Sequence, residues 1–260
     1  MKRDSQRPGR RNPRSDKGAI YATPRDLYCI TWIAEQYVAR FDQIQQLLSR
    51  FPDPARPFLA EKIAETTTRD QISRWRRAGW IEYERFLAKD RGYAWVTRRG
   101  LQLVELDGIY TARPPAATRL AHLYAINQVR LWMDEDEAGL IWTSERRYRA
   151  VNLEKKKGKK DESSGPIPDA LIQAATIPRK TAVEVEVSVK RPDVLLAKLE
   201  ALVRAIAFDD EIGNYAKQFP LIWFYVPNER IQRAVEQARA DLPKEERDRV
   251  GVVVESDLLA

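Results

Sequence analysis

Between Ala182 and Lys190 the chain alternates strictly. Val183, Val185, Val187 and Val189 fall on one face of a strand, and Glu184, Glu186, Ser188 and Lys190 on the other. The flanking helical patterns make this strand central in a sheet, where a polar face needs a reason. Two carboxylates one pleat apart stand ~7 Å from each other and repel when buried. A divalent cation relieves that repulsion, and Mg²⁺ prefers carboxylate oxygens. An ion network with Arg146, Arg147 or Lys190 would relieve it without any catalysis. Lys190 shares the acidic face but would lie ~13 Å from Glu186 along a fully extended strand.

The second constellation is basic. A predicted helix from Thr66-Thr67-Thr68 to Ala78 projects Arg69, Ser73 and Arg77, with Arg74 and Arg76 flanking them. Arginine's planar fork suits guanine edges and phosphates. Lys89 and Arg91 occupy a turn between two predicted strands, where they would meet backbone phosphates. A further run, Lys155, Lys156, Lys157, Lys159 and Lys160, reads as a hairpin tip that would track phosphates or stay solvated. Residues 1–19 carry seven Lys or Arg against Asp4 and Asp16 and read as a disordered basic arm.

The elements that must position these residues follow from spacing. Thr23-Pro24 caps a first helix with Leu27, Ile30, Ala34 and Val38 at helical intervals. Ile44, Leu47 and Leu48 mark a second, and a short helix is expected around Phe58–Ala64. Gly79 stops the arginine-rich helix. Strands at 80–87 and 93–97 form a hairpin, and Thr97 caps a helix with Leu101. Arg113-Pro114-Pro115 separates a domain at 20–112 from one at 116–260. The second reads as a helix at 117–134, strands at about 139–150, 168–174 and 181–190, a helix at 193–208 with a turn to 217, a strand at 220–226, a helix at 229–240 and a strand at 250–255.

Composition narrows the functions. The net charge of +7 favours an anionic partner. Cys29 is the single cysteine and His122 the single histidine, so structural zinc and an internal disulfide are excluded. His122, on an amphipathic helix, is expected to be a core residue, although it and Glu145 would flank the acidic strand. No apolar run approaches the ~20 residues that span a bilayer, and a cytoplasmic location is expected.

Two resemblances follow from these residues. Gln71-Ile-Ser-Arg-Trp-Arg-Arg-Ala-Gly-Trp-Ile-Glu-Tyr83, returning through Val96-Thr-Arg-Arg-Gly-Leu101, resembles winged helix-turn-helix regulators over about residues 24–110. Pro168-Asp169, followed by Glu184-x-Glu186, resembles the PD-(D/E)xK nuclease fold. That likeness implies an α+β chain: a DNA-binding winged helix, then an α/β restriction-endonuclease-like domain with a mixed central sheet. It also implies Asp169, Glu184 and Glu186 as catalytic Mg²⁺ ligands and Lys190 as a catalytic charge stabiliser, with Glu186 standing where the motif expects lysine.

Arg119–Arg130, Trp142–Arg149, Pro168–Ile172 and Val183–Lys190 together resemble the replication-relaxation family of plasmids and integrative elements. This implies a double-stranded DNA-binding protein of a mobile genetic element, acting in replication or mobilisation. It would be either a Mg-dependent endonuclease or nickase, or a non-catalytic regulator, initiator or relaxosome accessory factor on a degenerate nuclease fold. The implied partners are duplex DNA, a second copy in a homodimer, and a relaxase or replication protein, with no membrane.

Overall fold

The computed structural model describes residues 20–51, 63–86, 91–136, 140–156, 166–173, 180–208 and 222–259. The basic arm, most of the short helix expected at 58–64, Lys89, Lys157, Lys159, Lys160 and the turn expected at 209–217 lie outside the described residues.

The chain is mixed α+β. Its first part runs α1 (Pro24–Gln36), β1 (Ala39–Arg40), α2 (Phe41–Arg50), α3 (Glu65–Arg77), β2 (Ile81–Glu84), β3 (Tyr93–Val96) and α4 (Arg98–Leu103). Thr23 caps α1 in a reciprocal box with Asp26, and Pro24 takes the first helical position, where its missing N–H costs nothing. Gly79 ends α3 with φ +72°, a conformation that L side chains rarely adopt. The hairpin is antiparallel, and β1 joins its other edge, in the order β1-β3-β2. Thr97 Oγ1 donates to Gly79 O (2.6 Å) and accepts from Gly100 N (3.1 Å), tying the end of α3 to the start of α4. Gly100 is needed there, because a Cβ would meet Trp80 O at 2.0 Å. Ile30, Ile33, Ile44, Leu47, Trp75 and Leu101 centre this core. Leu27 is not part of it: the buried stripe of α1 passes through Asp26, Cys29, Ile30 and Ile33 and leaves Leu27 exposed.

The second part runs α5 (Leu120–Asp136), β4 (Ile141–Ser144), α6 (Glu145–Lys156), β5 (Ala170–Gln173), β6 (Lys180–Val185), α7 (Pro192–Phe208), β7 (Ile222–Val226), α8 (Glu229–Ala240), α9 (Lys244–Arg247) and β8 (Val250–Val254). Its sheet orders β4-β5-β6-β7-β8, antiparallel across the first two pairings and parallel across the last two. β6 is the central strand. Ala125, Ile126 and Val129 of α5 pack on one face against Val183 and Val185. Leu195, Leu199 and Leu202 of α7 pack on the other with Ala182, Phe224 and α8.

Two strand expectations are corrected. The strand expected at 139–150 stops at Ser144, because Ser144 Oγ accepts from Arg147 N (3.2 Å) and starts α6. Good helix formers follow, and among the described residues β4 pairs with β5 as far as Ser144↔Ala170. Lys155 and Lys156 therefore close a helix rather than tip a hairpin. The strand expected at 181–190 stops at Val185, whose N–H donates to the Asp169 carboxylate (2.9 Å) instead of to a neighbouring strand. The chain then turns towards Pro192 at the start of α7.

α5 also packs on the first part. Gln43 donates to Tyr124 O (2.9 Å) and Gln128 Oε1 (3.0 Å), and Asn127 donates to Val38 O (2.7 Å). Arg146 donates to Ala34 O and to Thr111 O and lies between the rings of Tyr37 and Tyr110. These directional bonds between buried polar groups fix how the two surfaces meet, although Asn127 Oδ1 and Tyr110 OH are buried without a hydrogen-bond partner among the described residues. Among the described residues no helix is long and apolar enough to cross a membrane.

Candidate functional site

The basic residues divide by where α3 points them. Its inner face buries Ile72 and Trp75. On its flank Arg74 Nη1 pairs with both oxygens of Asp26 (2.8 Å each). Asp26, fully buried, also accepts from Trp75 Nε1 (2.7 Å) and Gln71 (2.6 Å). Burial pushes the Asp26 carboxyl up, but the donors from Thr23, Trp75 and Arg74 outweigh it, and the group lies below the ordinary aspartate range. Arg74 is thus held in an internal network, and its guanidinium lies 5.8 Å over the Trp80 ring.

The outer face of α3 meets the hairpin across an open groove of about 450 Å³. Arg69, Ser73 and Arg76 line it from α3, Tyr83 and Arg85 from β2 and its end, Arg91 and Gly92 from the return, and Phe41 lies against its floor. Glu65 is the carboxylate of this lining, bridging Arg69 (2.8 Å) and Arg91 (3.3 Å). Both guanidiniums also sit 5.8 Å from the Phe41 ring. Arg76 has no carboxylate partner among the described residues, and Arg77 is exposed beside it. Of the residues expected at a nucleic-acid surface, Arg69, Ser73, Arg76 and Arg91 are gathered here, and Arg74 is not. Arg85 is an addition. It lies at the end of β2 beyond the amphipathic pattern, so the spacing of apolar residues did not single it out.

The acidic residues gather where β5 begins and β6 ends. Asp169 directly precedes β5. His122 Nε2 of α5 lies 3.0 Å from its Oδ1, and Val185 N donates to its Oδ2 (2.9 Å). Burial raises the Asp169 carboxyl, but His122, Lys198 and the Val185 N–H outweigh it, so it stays ionised below its ordinary value. Glu184 of β6 and Glu186 just beyond its end both lie near Lys198 of α7, each 2% exposed. Lys198 of α7 places Nζ 2.6 Å from Glu184 Oε2 and 3.9 Å from Glu186 Oε2. Lys190 Nζ is 2.6 Å from Glu186 Oε2, without the alignment of a hydrogen bond. The ~13 Å separation expected for an extended strand is thereby corrected, because the chain turns after Val185. Burial first, and then the Asp169 charge, push Glu184 up to about 8. Burial lowers Lys198, but Glu184 and Asp169 outweigh it, and the ammonium is held charged. Glu184 Oε1 is buried with no hydrogen-bond partner among the described residues.

His122 therefore joins this cluster rather than a core. Glu145 borders it through its backbone, donating N–H to Asp169 O (2.9 Å), while its side chain pairs with Arg119 and Arg149. Arg146, expected as a partner for the glutamates, is instead held by Ala34 and Thr111. Lys198 was not anticipated, yet the sequence carries a signal for it. It stands with Leu195, Leu199 and Leu202 at i, i+3, i+4, i+7 spacing, a charge on the apolar stripe of α7.

Asp169 and Glu184 suit one hard cation: adjacent carboxylates, mutual repulsion, and an orphaned oxygen. Glu186 turns to Lys190, and among the described residues no three His, Cys, Asp or Glu side chains gather as a ligand set. Comparison with protein-family models, curated proteins and solved structures found no match to this chain.

Proposed function

We propose that this chain binds duplex DNA through the groove between α3 and the β2–β3 hairpin, as a winged helix joined to a nuclease-like module. One observation carries the reading: four arginines, Arg69, Arg76, Arg85 and Arg91, converge with Ser73 on one open groove, and among its described lining residues Glu65 is the one carboxylate. Helix, helix, helix, hairpin, helix is the winged-helix order, with α3 as reader and the hairpin as wing. An α-helix fits the major groove by size, and the wing residues meet the flanking phosphates.

The second module supports a phosphodiester-cleaving role in replication or mobilisation of a mobile element. Its sheet order, with Asp169 before one strand and Glu184 on the next, suits the PD-(D/E)xK arrangement. Asp169 and Glu184 would hold Mg²⁺, which when bound polarises a phosphodiester and lowers the pKa of an attacking water. The protein's own residues have separate tasks. His122 orients Asp169, Lys198 supplies positive charge at Glu184, and Lys190 neutralises Glu186. A non-catalytic regulator is the second reading, favoured by the lysines that already balance both glutamates.

Gel shifts with short duplexes across a salt series test the first part. The expected result is a steep fall in affinity with salt, since each neutralised phosphate contributes a slope of about −0.9. A flat response would remove the DNA reading. Supercoiled plasmid incubated with Mg²⁺, Mn²⁺ or EDTA beside Asp169→Ala separates the two roles. Metal-dependent nicking lost in the variant makes the chain an endonuclease, and intact plasmid with duplex binding retained makes it a regulator.

A further inference from the structure

Glu184 and Lys198 form an unequal pair. The carboxylate is 2% exposed and the lysine side chain 27% exposed, so the lysine is the member of the pair with access to water. Glu184 Oε2 has this ammonium at 2.6 Å, while Oε1 is buried and unpartnered among the described residues. A carboxylate left half satisfied beside a second carboxylate, Asp169, is costly inside a protein. The lysine is also the easier group to move. It is a point charge on a flexible four-carbon stem, already partly in water, whereas Asp169 is held by His122 and the Val185 amide.

We propose that Lys198 is an exchangeable counter-ion. Its ammonium holds the Glu184 side of the Asp169–Glu184 site in the metal-free chain, and a divalent cation takes the two carboxylates by displacing it to the mouth. The proposal rests on the reading that these two carboxylates take a metal. Displacement leaves the lysine charged at the entrance, facing an anionic substrate, so one residue sets both metal-free stability and metal affinity. A lysine that served only to pack α7 on the sheet would leave metal affinity unchanged, and one that helped to hold the metal would weaken binding when removed.

The test uses the full chain and Mn²⁺ alone. Lys198→Met keeps the stem and removes the charge. Its melting temperature should fall below wild type in EDTA, and Mn²⁺ should raise it by more than it raises wild type. Mn²⁺ affinity, read from the electron-paramagnetic signal of the free ion, should tighten tenfold or more. Lys198→Arg keeps the charge and should bind Mn²⁺ no more tightly than wild type. Equal or weaker Mn²⁺ binding by Lys198→Met overturns the proposal.

A measurement on wild type is independent of how the variants fold. Reductive methylation followed by peptide mass spectrometry should modify Lys198 slowly in EDTA and several-fold faster in Mg²⁺, and an unchanged rate overturns the proposal. If no form binds metal, the metal reading of Asp169 and Glu184 falls with it. Salt-dependent gel shifts of the same samples then report whether duplex binding stands alone.

Discussion

The α3–hairpin groove and the carboxylate cluster are both dense in charge and use it in opposite ways. Among the described residues of the groove four guanidiniums stand against one carboxylate, so most of this positive charge is directed outward. In the cluster Asp169, Glu184 and Glu186 are met by His122, Lys198 and Lys190 inside the fold. The difference is one of dielectric. Exposed charges are screened and contribute little to stability but strongly to binding an anion, whereas buried charges must be balanced internally before any ligand arrives. α3 repeats the contrast within a few residues: Arg74 is locked to buried Asp26, and Arg76 projects into the groove.

The sharpest test of that division is Asp26→Ala, which strips the acceptor from Arg74, Gln71 and Trp75. Breaking a buried pair in this way should cost about 3–5 kcal/mol in urea unfolding. Duplex affinity of the folded fraction should stay within a few-fold of wild type; a loss of affinity larger than the loss of folded protein would mean that Arg74 also reads DNA.

Reversing the groove tests the other side. Arg76→Glu with Arg85→Glu should weaken duplex binding about 100-fold near 0.1 M salt and flatten the salt slope by roughly 2, with the melting temperature nearly unchanged. A large drop in melting temperature instead would mean that these arginines are structural.

Asp169→Asn reaches the cluster. It weakens the His122 contact and the acceptor of Val185 N–H, and should cost about 2 kcal/mol of stability. Duplex affinity should move less than twofold, and a larger change would show that the two regions work as one surface.

The smallest effect is a pH dependence. The Asp26 carboxyl is depressed in the folded chain, so its contribution is present above its unfolded value of 3.8 and is lost as pH falls through the folded value. Denaturant midpoints should therefore fall below about pH 4 more steeply in wild type than in Asp26→Asn. Parallel curves would mean that other carboxylates dominate acid unfolding.

Much of the scaffold was legible because it rests on local rules. Thr23-Pro24, Gly79 and Thr97 marked helix ends correctly, since caps and left-handed turns depend on a residue's own backbone. Helix α8 matches its expected bounds, 229–240. The alternation of β6 assigned Val183 and Val185 to one face and the glutamates to the other, because strand parity needs no partner. The lengths of β4 and β6 were not legible, because a strand ends where its neighbour ends or a side chain takes its amide, as Asp169 does for Val185.

By itself, then, the sequence determined where α3, α7 and α8 lie, which residue parity along β6 is acidic and which stretch of α3 is rich in arginine. Those properties are written in periodicity and in local backbone chemistry. Only the tertiary structure decided that Arg74 belongs to Asp26 while Arg76 lines a groove, that His122 holds Asp169, and that Lys198 answers Glu184 across two elements. The physical reason is that a charge's role depends on what lies within about 4 Å of it and on how far water is excluded, and both are set by packing between distant segments.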